Sequence, residues 1–219
     1  MINSVLLTAV LGYVIGSIPF GLLISNMHGK DIRKSGSGNI GATNTLRLLG
    51  PVWGLTVFVL DIGKGFAGCA VGALTAEIVG GSGQYLGNPV VVWAVALGGL
   101  TAIAGHNWSL FLGFDGGKGA ATTTGAFLYM SPVVVVVGLT TALVVAVVSK
   151  YMSLGSLSGM TAGVIISWFL DVPNIFRIAM LVALAWGFWR HKDNIKRLLR
   201  GEERKLGSGK TDGSSAGRD

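Results

Sequence analysis

Charged side chains are scarce in this sequence: only 12% of its 219 residues carry them, against 51% that are hydrophobic, and the mean hydropathy is +0.64. So little polar surface cannot cover a soluble globule, which places the chain in a membrane. Cysteine is almost absent. Cys69 stands alone in an apolar run, which excludes an internal disulfide and a cysteine-based metal site and leaves it as buried filler. With three histidines and scattered carboxylates, no cluster has metal-ligand spacing, so no metal and no cofactor are expected, and activity should survive a chelator. The N-terminus lacks the cationic segment and small-residue cleavage site of a secretory signal, so the first apolar stretch counts as a retained span. What is plentiful is glycine, with 35 residues, and positive charge, with 17 Lys and Arg against 10 Asp and Glu. In a soluble protein that balance would raise the question of nucleic acid. Here the cations sit in short loops and in the tail, so the expected partners are membrane lipids and anionic substrates, and no nucleic acid.

Apolar segments fall near residues 4–25, 52–76, 88–105, 119–130, 133–149, 154–170 and 174–190. A full crossing needs ~20 residues, so the expected fold is all-α, a polytopic membrane protein of about seven transmembrane helices, several of them short. Segments 119–130 and 133–149 flank Ser131-Pro132 and read either as two tilted helices in a tight hairpin or as one broken re-entrant unit. Lys30, Arg33, Lys34 and Arg47 lie after the first segment, Lys118 after the third, Lys150 after the fifth, and the tail is rich in both residue types. The alternate connections, near 77–88, 131–132 and 171–174, carry Glu77 and Asp171 but no Lys or Arg. Because Lys and Arg mark cytoplasmic loops, the N-terminus is expected outside and the C-terminus in the cytoplasm. Residues 190–200 place Ile195, Leu198 and Leu199 on one helical side and cations mostly on the other, the pattern of an interfacial helix. A single membrane-integral domain over 1–203 is expected, followed by a disordered cytoplasmic tail over 204–219.

Two glycine-rich loops carry most of the chemical information. In the first, Ser35-Gly36-Ser37-Gly38-Asn39-Ile40-Gly41-Ala42-Thr43-Asn44, close glycines let backbone N–H groups turn toward an anion and the small polar side chains add neutral donors. A helix starting near Thr43 or Asn44 would add its N-terminal amides, and Arg47 one turn in offers a bidentate fork for phosphate. The same composition also suits a plain Gly/Ser linker with a helix cap. In the second, Gly116-Gly117-Lys118-Gly119 before a helix resembles a phosphate cradle with a lysine point charge, though the spacing is not that of a Walker motif and no strand precedes it. His106, just upstream, reads equally as a structural hydrogen-bonder or a reactive group. Ser153 and Ser156, at the start of the sixth segment among small residues, either point at a ligand or permit close helix packing. His191 and Asn194 share one helical face. Asp61 and Lys64, charges inside an apolar span and three apart, read as a structural ion pair that supports the site.

Taken together, Gly36 to Asn44 with Arg47, Asp61 with Lys64-Gly65, Gly105-His106 with Gly116 to Gly119, Ser153 with Ser156, and His191 with Asn194 resemble the bacterial acyl-phosphate:glycerol-3-phosphate acyltransferases. The resemblance runs in order to about Glu203. It implies transfer of a fatty acyl group from acyl phosphate to the 1-hydroxyl of sn-glycerol 3-phosphate, an early step of phospholipid synthesis, at the cytoplasmic side of a bacterial inner membrane. It also implies no use of acyl-CoA and no His-x4-Asp motif. None occurs: Phe111, Lys196 and Arg33 stand at the acidic place after His106, His191 and His28. On this reading His106, Lys118 and Arg47 are the expected catalytic residues. Ser37, Gly38, Asn39, Thr43, Asn44, Gly116, Gly117, Gly119, Ser153, Ser156, His191 and Asn194 are the expected substrate-binding ones. The proton of the attacking hydroxyl goes either to His106 or to a phosphate oxygen of the donor, and the enzyme is expected to be able to act as a monomer. The competing classes are an organic-phosphate transporter, against which stands the lack of an inverted repeat in the hydropathy, and a lipid scaffold, which leaves the paired loops unexplained.

Overall fold

The computed structural model describes residues 2–78 and 88–206; the expected disorder of the last part of the tail, 207–219, falls outside them. The described chain is helical: α1 (Ile2–Ser17), α2 (Phe20–Met27), α3 (Ala42–Leu49), α4 (Pro51–Ile78), α5 (Pro89–Asn107), α6 (Ala120–Met130), α7 (Pro132–Ser149), α8 (Met152–Ser167), α9 (Asn174–Arg190) and α10 (Lys192–Leu199). Four stretches among the described residues are long and apolar enough to cross a membrane: Ser4–Met27, Pro51–Ile78, Pro89–Leu112 and Pro132–Ser149. The segment boundaries follow the hydropathy pattern closely. At 11 residues α6 rises only about 16 Å, half a bilayer core.

Helix contacts are made by small residues, as expected where lipid tails compete with side chains for apolar contact. A Cβ on Gly68 or Gly98 would collide with the backbone of the other, which brings α4 and α5 together, antiparallel. Gly12, Gly16 and Gly105 do the same between α1 and α5, which run parallel, and Gly65 and Gly125 between α4 and α6. On the other side, Gly138 meets Gly159, and Gly155 meets Ala142 and Ala146, so α7 and α8 pack as an antiparallel pair. In the Ser153 to Gly159 stretch the glycines pack helices, and Ser153 and Ser156 border a cavity. Much of α7, including Val136, Leu143, Val144, Val147 and Val148, is exposed, as suits a helix whose outer side faces lipid.

Two interruptions shape the interior. Pro19 cannot continue α1, and the carbonyls left at the break are taken by distant donors: Ser109 Oγ bonds Ser17 O at 2.6 Å and Lys64 Nζ bonds Ile18 O at 2.9 Å. Ser131 ends α6 and starts α7 with extended backbone, so the Ser131-Pro132 signal marks two separate helices joined by a one-residue turn. Both open ends of this hairpin lie at the end of the bundle where α5 finishes and α8 begins, since Gly119 abuts Asn107 and only Lys150 and Tyr151 separate α7 from α8.

Because successive spans of the chain alternate in direction, the end of α2, all of α3, the end of α5, the start of α6, the end of α7, the start of α8 and all of α10 collect at one end of the bundle. Nearly all the Lys and Arg among the described residues lie there. Arg177, near the start of α9, lies at the opposite end, where its guanidinium caps the carbonyls of Ser167 and Leu170 at 3.1 and 2.9 Å.

Candidate active site

The first glycine loop is organised by one side chain. Asn44, 2% exposed, donates from Nδ2 to the carbonyls of Ile32, Ser35 and Asn39 (3.2, 2.9 and 3.0 Å) and accepts from Ser37 N at 3.1 Å. Gly36 and Gly38 adopt φ of +60° and +70°, conformations that favour glycine, and a Cβ on Gly36 would collide with Asn44 Oδ1. Asn39 Oδ1 accepts from Gly41 N at 2.9 Å and turns the chain into α3, which begins at Ala42, slightly earlier than Thr43. The loop is thus a rigid shelf rather than a linker. Asn44 commits its polar atoms to the shelf, and it borders the cavity together with Ser37, Asn39, Thr43 and Arg47.

The second loop is fixed from both sides. Gly117 N donates to His106 O at 2.9 Å, and a Cβ on Gly117 would coincide with His106 Nε2. From α9, Arg190 donates to Gly117 O at 2.9 Å and Gly116 O at 2.7 Å, with Asp115 at 3.5 Å. This clamp leaves Lys118 and Gly119 as the members of the loop that border the cavity, while Gly116 and Gly117 are held behind it and Gly38 stands outside it in the first loop. Lys118 Nζ bonds Asn194 Oδ1. Burial, only partly offset by Glu203 and reinforced by Arg197, Arg190 and Arg47, lowers the Lys118 pKa to about 8.

Beneath this loop lies a buried polar cluster. Asp61 and Lys64 form an ion pair of 2.8 Å with both side chains at most 3% exposed, and His106 Nδ1 stands 3.6 Å from the same Asp61 oxygen. His106 is 3% exposed, with one ring nitrogen facing Asp61 and the other under Gly117. It borders the cavity, with Nε2 packed close to the Gly117 backbone.

The C-terminal side completes the site. His191 donates Nδ1–H to Gly187 O at 2.8 Å, and burial, then Lys118, lower its pKa to about 4, so it is neutral and borders the cavity. Glu203, which gave no signal by residue type and lies at the end of the motif region, reaches back into the cavity and accepts from Ser153 Oγ (2.8 Å), Asn194 Nδ2 (2.5 Å) and Arg197 Nε (2.8 Å). Burial favours its neutral form, but these hydrogen bonds hold its pKa below the usual carboxylate value. Arg47 is shifted down by burial and by Arg204. Neither its guanidinium nor that of Arg204 has a hydrogen-bond partner among the described residues.

The cavity measures about 710 Å³ and has two ends. One holds Arg47, Lys118, Arg197 and Arg204 with the serines, His191 and Asn194; the other runs between α6, α7 and α8 along Phe127, Val134, Leu139, Leu143 and Met160. Such a site takes a doubly charged anion at one end and an alkyl chain at the other. Among the described residues, no group of three or more His, Cys, Asp or Glu is arranged to hold a metal.

The model of the family described as "Glycerol-3-phosphate acyltransferase" matches residues 6–201. The chain belongs to the glycerol-3-phosphate acyltransferase family. Relatives in this family include a glycerol-3-phosphate acyltransferase of Thermus thermophilus, 40% identical over 91% of this chain and 94% of that protein. Glycerol-3-phosphate acyltransferase 2 of Moorella thermoacetica is 42% identical over 92% and 97%. Among solved structures, the glycerol 3-phosphate form of PlsY (YgiH), an integral membrane glycerol 3-phosphate acyltransferase, matches with a TM-score of 0.81 and 33% identity over 94% of this chain and 96% of that one. Its lysophosphatidic acid form matches with a TM-score of 0.80. The chain is an all-helical membrane protein and an acyltransferase of this family.

Proposed function

We propose that the protein transfers a fatty acyl group from acyl phosphate to the 1-hydroxyl of sn-glycerol 3-phosphate, releasing lysophosphatidic acid and inorganic phosphate. The observation that carries this reading is the single two-ended cavity, in which cations from four separate chain segments meet an apolar groove. Relatives named for glycerol 3-phosphate, and a neighbouring structure in a glycerol 3-phosphate form, support the acceptor. The donor rests on the motif resemblance and on the chemistry of the site. An acyl phosphate already carries a good leaving group, so the protein has only to bind two anions and align a hydroxyl.

In the step itself, the hydroxyl oxygen bonds to the acyl carbonyl carbon and the bond from that carbon to the phosphate oxygen breaks. The hydroxyl proton passes to a phosphate oxygen of the leaving group. That route suits a site whose central histidine, His106, is 3% exposed and has Nδ1 turned to Asp61 and Nε2 close under Gly117. His106 is then a positioning residue that, with Asp61 and Lys64, supports the Gly117 turn. Arg47 and Lys118 neutralise phosphate charge. Ser37, Asn39, Thr43 and Gly119 border one side of the bound polar groups, and Ser153, Ser156, His191 and Asn194 the other. Gly38, Gly116, Gly117 and Asn44 shape the loops. The neutral His191, with Nδ1–H held by Gly187, offers an Nε2 lone pair to a glycerol hydroxyl.

The cation-rich end, with Lys30, Arg33, Lys34, Lys118, Lys150 and α10, supports a cytoplasmic active site in a bacterial inner membrane, with seven crossings, the N-terminus outside and the C-terminus inside. Residues 1–203 form the membrane-integral catalytic domain and 204–219 its cytoplasmic tail, and a monomer contains every residue the step uses. No cofactor or nucleic acid takes part. The test uses purified protein in detergent without a sealed compartment, supplied with acyl phosphate and glycerol 3-phosphate. Lysophosphatidic acid and phosphate should form in equal amounts, and should not form when acyl-CoA replaces the donor. Absence of product in every lipid mixture would rule the reading out in favour of transport.

A further inference from the structure

We propose that the Glu203 carboxylate is a resident stand-in for substrate phosphate: it fills the anion subsite of the empty enzyme and leaves, with residues 201–206, when a phosphate monoester binds. The proposal deepens the acyltransferase reading, on which it rests, by naming the subsite and its occupant.

Three donors converge on this one carboxylate: Ser153 Oγ and Asn194 Nδ2 on Oε1, and Arg197 Nε on Oε2. They come from α8, α10 and the last turn of α10, and two of them belong to the motif set that marks the substrate site. Lys118 reaches the same cluster through Asn194. Arg47 and Arg204 border the space without hydrogen-bond partners among the described residues. Charge-assisted donors from several elements, arranged around an anion, are what a phosphate requires.

A carboxylate satisfies such a site only in part. It brings one negative charge and two oxygens, against about −1.5 to −2 and three oxygens for a phosphate monoester at neutral pH. Phosphate can therefore engage Arg47 and Lys118 as well, and displace Glu203. Meanwhile the resident carboxylate keeps the cations from facing one another across an empty cavity. The segment that carries it follows a turn at Gly201, with φ +70°, and its backbone is tied through Gly201 N to Leu198 O at 3.2 Å, Glu202 N to Arg197 O at 2.8 Å and Leu206 N to Lys150 O at 2.7 Å, bonds that lie at its two ends and leave Glu203 itself held by its side chain.

The test places a nitroxide on the exposed Glu202 side chain through Glu202→Cys in the full-length protein, where the single native thiol, Cys69, is fully buried. Inorganic phosphate should sharpen the spectrum, reporting release of the segment. Glycerol 3-phosphate and an alkylphosphonate, compared at equal concentration, then show whether the acceptor or the donor phosphate is the displacing ligand. Glu203→Gln removes the charge and should bind inorganic phosphate roughly tenfold more tightly, because no competing state must be vacated. Glu203→Ala should do the same. An unchanged spectrum at saturating phosphate, or weaker phosphate binding in both variants with a fall in kcat, would overturn the proposal and make Glu203 a positioning residue of the loaded site. A label that responds to phosphate in a protein that makes no lysophosphatidic acid would instead sink the acyltransferase reading and leave the Glu203 assignment standing.

Discussion

Lys118 gives the acyltransferase reading a pH signature. Its pKa, lowered to about 8 by burial among Arg197, Arg190 and Arg47, means that roughly 90% of the free protein carries the charge at pH 7 and roughly 10% at pH 9. Glycerol 3-phosphate is already a dianion above its second pKa of about 6, so the substrate does not change over this range. If only the charged lysine binds phosphate, KM for glycerol 3-phosphate stays flat to about pH 7.5 and then rises about tenfold per pH unit, reaching roughly tenfold at pH 9. The assay is initial-rate kinetics between pH 6.5 and 9.5 at saturating acyl phosphate. Lys118→Arg keeps its charge throughout and should flatten the profile, even if its fork fits Asn194 poorly and lowers kcat. Stability moves the other way. The unfolded lysine titrates near 10.5, so between about pH 8 and 10.5 the unfolded chain holds a proton that the folded chain does not, and this group makes the fold more stable as pH rises. A KM unchanged to pH 9.5 in the native protein would show that Lys118 does not bind phosphate through its charge.

Three further substitutions test the frame. Asn44→Ala strips the first shelf of four contacts and leaves a buried cavity among backbone groups; it should cost about 2–4 kcal/mol of stability, read as a lowered melting temperature, and raise KM. Gly65→Ala pushes a methyl group into the Thr122 carbonyl. It should destabilise the α4 and α6 contact by about 1–3 kcal/mol and lower kcat, because α6 begins directly after Lys118 and Gly119; full activity after heating would contradict the close approach. His106→Gln should lower kcat by less than the roughly 100-fold expected for loss of a general base, and should leave the acid limb of the pH profile in place. A larger loss together with disappearance of that limb would restore His106 as the base.

The helices were legible because burial in lipid is a one-dimensional property: runs such as Val133 to Val137 must be internal to the bilayer wherever the rest of the chain goes. Glycine spacing revealed both loops for a similar reason, since φ values such as those of Gly36 and Gly38 are local. Which loop residues face the cavity was not legible. Arg190, read as one more cation of an interfacial helix, holds Gly116 and Gly117 by bonds across more than seventy residues. Glu203 looks like an ordinary tail carboxylate until α10 folds back under α8. Nor was it legible that Asn44, which borders the cavity, is also the beam of its own loop, bonded to four backbone groups within twelve residues.

The sequence alone determined that this chain is a membrane protein of short helices with two glycine-rich loops, and which residues belong to its motifs; hydropathy and backbone freedom are properties of neighbours. Only the tertiary structure decided that Arg47, Lys118, Ser153 and Asn194 share one cavity, that His106 sits at its wall between Asp61 and Gly117, and that a carboxylate already stands among the cations. Those facts depend on the directions in which distant helices run and on glycine contacts that set how near they come, and no local pattern encodes either.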